Sequence, residues 1–147
     1  KCTLALGCFW YLVENFKNHP GILKTEVGYA GGQKSEVTYE EVCTGKTNYA
    51  EVVRLLYDEK IISFEKILDL FFKMHDPTQK DMQYPDVGTQ YRSEIFYETD
   101  EQKKEAEAAI VKKNPIYGGK IQTNISKIKN YCKAEEYHQR YIEKKII

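Results

Sequence analysis

The chain has 147 residues, with 22 basic and 22 acidic side chains. That length suits one domain, and the charge balance excludes a global electrostatic case for nucleic acid or membrane binding. Four cysteines (Cys2, Cys8, Cys43 and Cys132) are spread over the whole chain, with no CxxC and no Cys/His pairing at zinc spacing. Neither a metal site nor a disulfide framework is therefore expected. No apolar run reaches transmembrane length. The isolated thiols suggest a reducing, cytoplasmic setting, although the chain opens on Lys1 rather than Met and so leaves an upstream leader open.

In chain order, Thr3 to Leu6 is a short apolar run that reads as a buried strand. Phe9, Leu12, Val13 and Phe16 then recur at the spacing of one helical face, and Pro20-Gly21 ends that helix. Lys24 to Tyr29 reads as a strand running into the turn Ala30-Gly31-Gly32. Residues 33–49 are polar and mixed, with Thr38 to Cys43 taken as an edge strand. Ala50 to Tyr57 is rich in Val and Leu and reads as a strand.

Ser63 caps a helix whose Phe64, Ile67, Leu68 and Phe71 repeat at helical spacing, ending near His75. Residues 76–90 read as a long loop, and Tyr91 to Tyr97 as a strand. Thr99-Asp100-Glu101-Gln102 resembles a capping box opening a helix to about Lys113. Lys120 to Ile128 alternates as a last strand, and Ala134, Tyr137, His138 and Tyr141 share one face of a terminal helix. Strands and helices interleave without βαβ periodicity. The expected class is α/β (α+β): a two-layer sandwich, a mixed sheet with helices packed on it.

The residue of most chemical interest is Cys8. In the first turn of a helix, unpaired N–H groups and the helix dipole stabilise a thiolate. A buried, inert cysteine is the competing reading. A Cys–His hydrolase needs a histidine beside the thiol. His19 lies about 16 Å away along the helix. His75 ends a helix, where a charged imidazole suits the dipole, and His138 lies on an apolar face.

Several blocks stand in order along the chain. They are Gly7-Cys8-Phe9-Trp10, Val27 to Gly32, Thr38 to Cys43, Ala50-Glu51, His75 to Thr78, Gly88 to Ser93 and Ala134 to Gln139. Together they resemble the A-type peptide methionine sulfoxide reductases. The resemblance implies reduction of methionine-S-sulfoxide, free or in proteins, to methionine through a cysteine sulfenic acid. It implies Cys8 as nucleophile, Glu51 as the acid serving the sulfoxide oxygen, and Tyr39, Asp86 and Tyr91 lining the polar side of the pocket. Phe9 and Trp10 would hold the substrate's methyl group. Asn48-Tyr49 stands where Gly-His usually precedes Ala50-Glu51.

The chemistry of these residue types fits. Sulfoxide oxygen must be protonated as the sulfur is attacked, and a desolvated carboxylic acid held neutral can do this. Tyrosine hydroxyls can hydrogen-bond the oxygen as charge develops.

Many family members carry resolving cysteines in a C-terminal extension. The expectation here is a single catalytic domain over residues 1–147 without such a tail. Cys132 is then the best internal candidate for a resolving thiol. No bound cofactor is expected, and the cycle would be completed by an external thiol, glutathione or a glutaredoxin-like or thioredoxin-like protein. The competing functions are a thiol peroxidase and a redox-sensing or peptide-binding module.

Overall fold

The computed structural model describes residues 1–7, 16, 19–32, 38–44, 47–83 and 86–135. At its centre is β1 (Cys2–Leu6), five buried residues in succession. An unbroken apolar run of this kind belongs to an interior strand with neighbours on both sides. It pairs antiparallel with β3 (Ala50–Tyr57) on one side and with β6 (Ser93–Tyr97) on the other. β2 (Ile22–Ala30) adds antiparallel to β3, and the two-residue β8 (Cys132–Lys133) adds antiparallel to β2. β7 (Asn124–Lys127) lies parallel to β6, giving a mixed six-stranded sheet of order β7-β6-β1-β3-β2-β8.

Side-chain alternation splits the sheet into two unequal faces. Cys2, Leu4 and Leu6 of β1, Val27 and Tyr29 of β2, and Val53, Leu55 and Tyr57 of β3 point to the main core. Two helices cover that face. α2 (Phe64–Met74) buries Phe64, Ile67, Leu68, Phe71 and Phe72, and Ser63 caps it by accepting from the Lys66 N–H. α3 (Asp100–Lys113) contributes Ala106 and joins β6 to β7. The opposite face carries a small cluster of Ala5, Ala30, Ala50, Val52 and Phe96. The expected two-layer α/β arrangement is thus the observed one.

Residues 128–131 cross that second face from β7 to β8. Backbone bonds from Ile128 N to Tyr97 O (2.9 Å) and from Gly31 N to Lys129 O (2.9 Å) hold the crossing in place. Tyr131 then donates to Glu26 at 2.8 Å, with Arg54 stacked on its ring.

Five local expectations change. Thr38 to Cys43 is no edge strand. Tyr39–Cys43 forms the short helix α1, because Thr38 and Glu41 make a capping box in which each side chain satisfies the other's backbone N–H. The 76–90 loop contains a hairpin, β4 (Met82–Gln83) against β5 (Asp86–Val87), followed by a 3₁₀ turn over Thr89–Tyr91. Tyr91 therefore precedes the strand rather than starting it.

At Thr99 the cap is one-sided. Thr99 Oγ1 accepts from Gln102 N, but the Gln102 amide reaches past it to Glu98 N (2.8 Å) and Lys1 O (2.7 Å). The last strand is confined to Asn124–Lys127.

Phe16 is helical and buried, and the remainder of the helix expected after Cys8 lies outside the described residues, as does the expected terminal helix beyond Glu135. Ala134 itself continues the sheet edge, its N–H bonding Val27 O at 3.0 Å.

Candidate active site

Sheet register fixes the site's backbone. In the β2–β3 ladder Glu51 stands opposite Tyr29, and in the β2–β8 ladder Tyr29 stands opposite Cys132. Directly paired residues project to the same face, so these three side chains form a row across three strands on the helix side. The β1–β3 register pairs Leu4 with Val53, and continuing it brings Leu6 opposite Glu51. Gly7, the residue bonded to Cys8, thus leaves β1 at the end where Glu51 enters β3.

Gly7 is required there. Its φ of +109° is disfavoured for other residues, and a Cβ would stand 3.0 Å from the Gln83 side chain. Gln83 pins the hairpin in place. Its amide accepts from Asp76 N (3.0 Å) and donates to Asp76 O (2.5 Å), while Asp76 Oδ1 accepts from the Thr78 N–H and hydroxyl. The two Thr78 bonds hold the Asp76 carboxyl below the usual carboxylate range. Asp86 sits opposite Gln83 in the hairpin, half-buried, over the end of β1.

Glu51 is 1 % exposed. The Tyr39 hydroxyl lies within its field and within that of Tyr91. Burial first, then a hydrogen bond with Cys43, then those neighbours push the Tyr39 hydroxyl far above its ordinary range, so it remains a neutral donor. Cys43 lies one helical turn after Tyr39, and partial burial raises its thiol despite the opposing hydrogen bond from Tyr39. The structure therefore brings Glu51, Tyr39 and Tyr91 together. It puts Asp86 on the neighbouring hairpin and Cys132 two strands from Glu51. Cys8, Phe9 and Trp10 lie outside the described residues.

Three residues that sequence reasoning did not single out build this site. The Glu135 carboxylate accepts from the Tyr29 hydroxyl (3.0 Å) and the Tyr39 N–H (3.0 Å), seating α1 against β2. Gln90, buried in the 3₁₀ turn, donates to Cys43 O over a long 3.5 Å. Arg92 bonds two loops at once. Glu135, Gln90 and Arg92 all lie within sequence blocks already noted, and the Thr38/Glu41 spacing was the readable sign of α1.

His75 corrects another expectation. Its Nδ1 faces Phe71 O at 2.7 Å and its Nε2 faces Ser93 Oγ at 2.7 Å. A carbonyl only accepts, so Nδ1 carries the proton and Nε2 takes the serine hydroxyl's. Burial first drives its pKa down to about 4, so His75 is a neutral structural link and not a cation serving the helix end.

Among the described residues no group of His, Cys, Asp and Glu is arranged to hold a metal, and no helix is long and apolar enough to cross a membrane. No disulfide joins Cys2, Cys43 and Cys132.

Known proteins agree with this architecture. The family model for peptide methionine sulfoxide reductase matches residues 1–146. The peptide methionine sulfoxide reductase of Pelagibacter ubique is 58 % identical over 143 residues, spanning 97 % of each chain. Mxr1 from Saccharomyces cerevisiae in reduced form superposes with a TM-score of 0.92 at 42 % identity, over 97 % of this chain and 83 % of that one. The same yeast protein in complex with Trx2 gives 0.67 at 30 % identity, over 95 % and 82 %. With a buried glutamate and two tyrosines gathered where β1 ends, and with these likenesses in sequence and fold, the chain belongs to the peptide methionine sulfoxide reductase family.

Proposed function

We propose that the family's reaction runs here on methionine-S-sulfoxide, free or in proteins, with Cys8 as nucleophile and Glu51 as proton donor. The chain is an oxidoreductase that reduces methionine sulfoxide and is recycled by thiols. The observation that carries the residue assignment is the seat of Glu51: 1 % exposed, at the end of the sheet where Gly7 hands the chain to Cys8. A carboxyl taken out of water favours its neutral form, the one that can give a proton.

In this reading the Cys8 thiolate attacks the sulfoxide sulfur while Glu51 protonates the departing oxygen. The S–O bond of the substrate is exchanged for an S–OH on Cys8. The methionine sulfur is reduced and Cys8 is oxidised to sulfenic acid. Tyr39 and Tyr91 donate to the oxygen as charge builds on it, and Asp86 on the adjoining hairpin lines the polar side of the pocket. Phe9 and Trp10 take the methyl group. Residues 1–147 form one catalytic domain.

The sulfenic acid then condenses with a thiol, releasing water, and a second thiol reduces the resulting disulfide. We assign this step to an external reductant of the thioredoxin or glutathione/glutaredoxin type in a reducing, cytoplasmic setting. The yeast relative solved with Trx2 supports the thioredoxin arm.

Cys132 is the internal candidate for a resolving thiol, and the sheet sets a condition on it. Three strand spacings, about 14 Å, separate β1 from β8. Two residues span at most about 7 Å beyond Leu6, and a disulfide needs Cα atoms within about 7 Å. These lengths only just meet, and Tyr29 and Glu51 occupy the row between, so peeling of the two-residue β8 from its edge is the easier route to a Cys8–Cys132 bond. Cys2 is excluded. It is buried at the far end of β1, and burial pushes its thiol up to about 12.

Single-turnover methionine release by Glu51→Gln tests the assignment. The expected result is a folded protein slowed by about 10²–10⁴-fold, the range for losing a general acid. Near-full activity would remove Glu51 from the mechanism.

A further inference from the structure

Arg92 has no part in the chemistry assigned above, yet its guanidinium is spent on the two segments that carry it. Nη1 donates to the backbone oxygen of Thr89 at 3.0 Å, and Nη2 donates to that of Asn48 at 3.0 Å. Thr89 opens the 3₁₀ turn that holds Tyr91, and Asn48 lies three residues before Glu51. Nε donates to Glu94 Oε1 at 2.6 Å, and the other Glu94 oxygen accepts from Ser126 Oγ. The two charged side chains are 9 % and 6 % exposed.

The surroundings leave this fork little freedom. A Cβ on Gly31 would stand 3.0 Å from Nη2 and 2.8 Å from the Phe96 ring. Asn48 adopts φ +61°, the left-handed region that Asn tolerates better than most residues, which aims its carbonyl at Arg92.

We propose that Arg92 is a positioning residue whose guanidinium sets the placement of Glu51 relative to Tyr91 by bonding the Asn48 and Thr89 carbonyls at once. The inference rests on the roles given to Glu51 and Tyr91 under the proposed function. Its physical basis is the rigidity of the group. A planar guanidinium presents its donors in a fixed fork, so two carbonyls bound to it cannot drift independently. A buried ion pair adds little net stability, because desolvation offsets attraction. What such a pair does supply is geometry, and a misplacement of about 1 Å in a reacting array costs about 10²-fold in rate. Lysine cannot replace this fork, since one ammonium on a flexible stem cannot satisfy three directions.

The test measures the single-turnover rate constant for methionine release and its half-saturating sulfoxide concentration in wild type, Arg92→Lys and Glu94→Gln. Thermal melts run alongside. Glu94→Gln keeps the shape while removing the counter-charge. The expected order of rate constants is wild type, then Glu94→Gln, then Arg92→Lys at least tenfold down, with half-saturation within twofold and both variants folded at the assay temperature. A purely structural clamp would lower melting temperatures and leave the rate of folded molecules unchanged. Rates within twofold of wild type in folded Arg92→Lys would overturn the proposal. Failure of both variants to fold would assign the clamp to stability and overturn it equally. Absence of methionine release from the wild type would instead defeat the proposed function itself.

Discussion

The hydroxyl of Tyr29 donates to Oε1 of Glu135 across 106 positions of sequence, at 3.0 Å. Because Oε2 of the same carboxylate takes the Tyr39 N–H, one side chain joins the β2 rung beside Glu51 to the helix that presents Tyr39. Tyr29→Phe removes one of these bonds at constant shape and is expected to cost about 1–2 kcal/mol in urea unfolding. Glu135→Gln, left with one acceptor oxygen, should cost a similar amount, and the double variant less than the sum of the two. Strict additivity would mean that the two residues do not act through this contact.

The buried imidazole of His75 makes stability pH-dependent. Unfolded, it binds a proton below about pH 6.5. Folded, it stays neutral down to about 4. Between those values the unfolded state holds more protons, so stability is complete above about 6.5 and falls as the pH drops. The loss over the window is about 3 kcal/mol. Urea midpoints from pH 7.5 to 4.5 should show this slope in wild type and a flatter one in His75→Gln. Equal slopes would place the acid sensitivity elsewhere.

Gly32 closes the turn after β2 against the ring of Tyr49. A Cβ there would fall 1.9 Å from Tyr49 Cδ2, and that ring is 1 % exposed and has no room to retreat. Gly32→Ala should destabilise the fold by about 3 kcal/mol, the upper part of the overpacking range. Tyr49→Ala in the same chain should recover part of that loss. An unaffected Gly32→Ala melting curve would show that the turn can shift.

Cys132 sits two strands from Glu51 with Tyr29 between them, and the attack on the sulfoxide needs only Cys8 and the acid. Cys132→Ser is therefore expected to leave the first-turnover release of methionine within twofold of wild type, still with one thiol lost. A tenfold slower first release would tie Cys132 to the attack itself.

Much of the fold was legible because its long elements carry strong patterns. The unbroken apolar run of β1, the Val/Leu-rich β3 and the helical spacing of Phe64, Ile67, Leu68 and Phe71 each predict what forms. The short elements were not. Five residues of α1 hold too little periodicity to compete with the strand-forming Thr38, Tyr39 and Val42, and only the capping pair marked the helix. The two-residue strands of the hairpin and β8 exist through tertiary pairing alone.

The candidate site was legible through resemblance, not through pattern. Glu51 follows Ala50 as any surface glutamate might, and its burial is a tertiary fact, set by where the β2–β3 ladder places it beside Tyr29. The state of His75 was misread for the same reason. A helix-end histidine favours charge when solvated, but burial under β6 drives this imidazole neutral against the pull of the Phe71 carbonyl, while that carbonyl and the Ser93 hydroxyl fix its tautomer.

The most direct test of the chemistry is stoichiometric. Fully reduced protein is mixed with excess methionine-S-sulfoxide and no added reductant, and methionine and remaining thiols are counted per chain. The expected result is one methionine released with one thiol lost, Cys8 being held as sulfenic acid. A second thiol lost would mean closure of a disulfide, located by peptide mapping. Neither methionine nor thiol change would contradict attack by Cys8 on the sulfoxide.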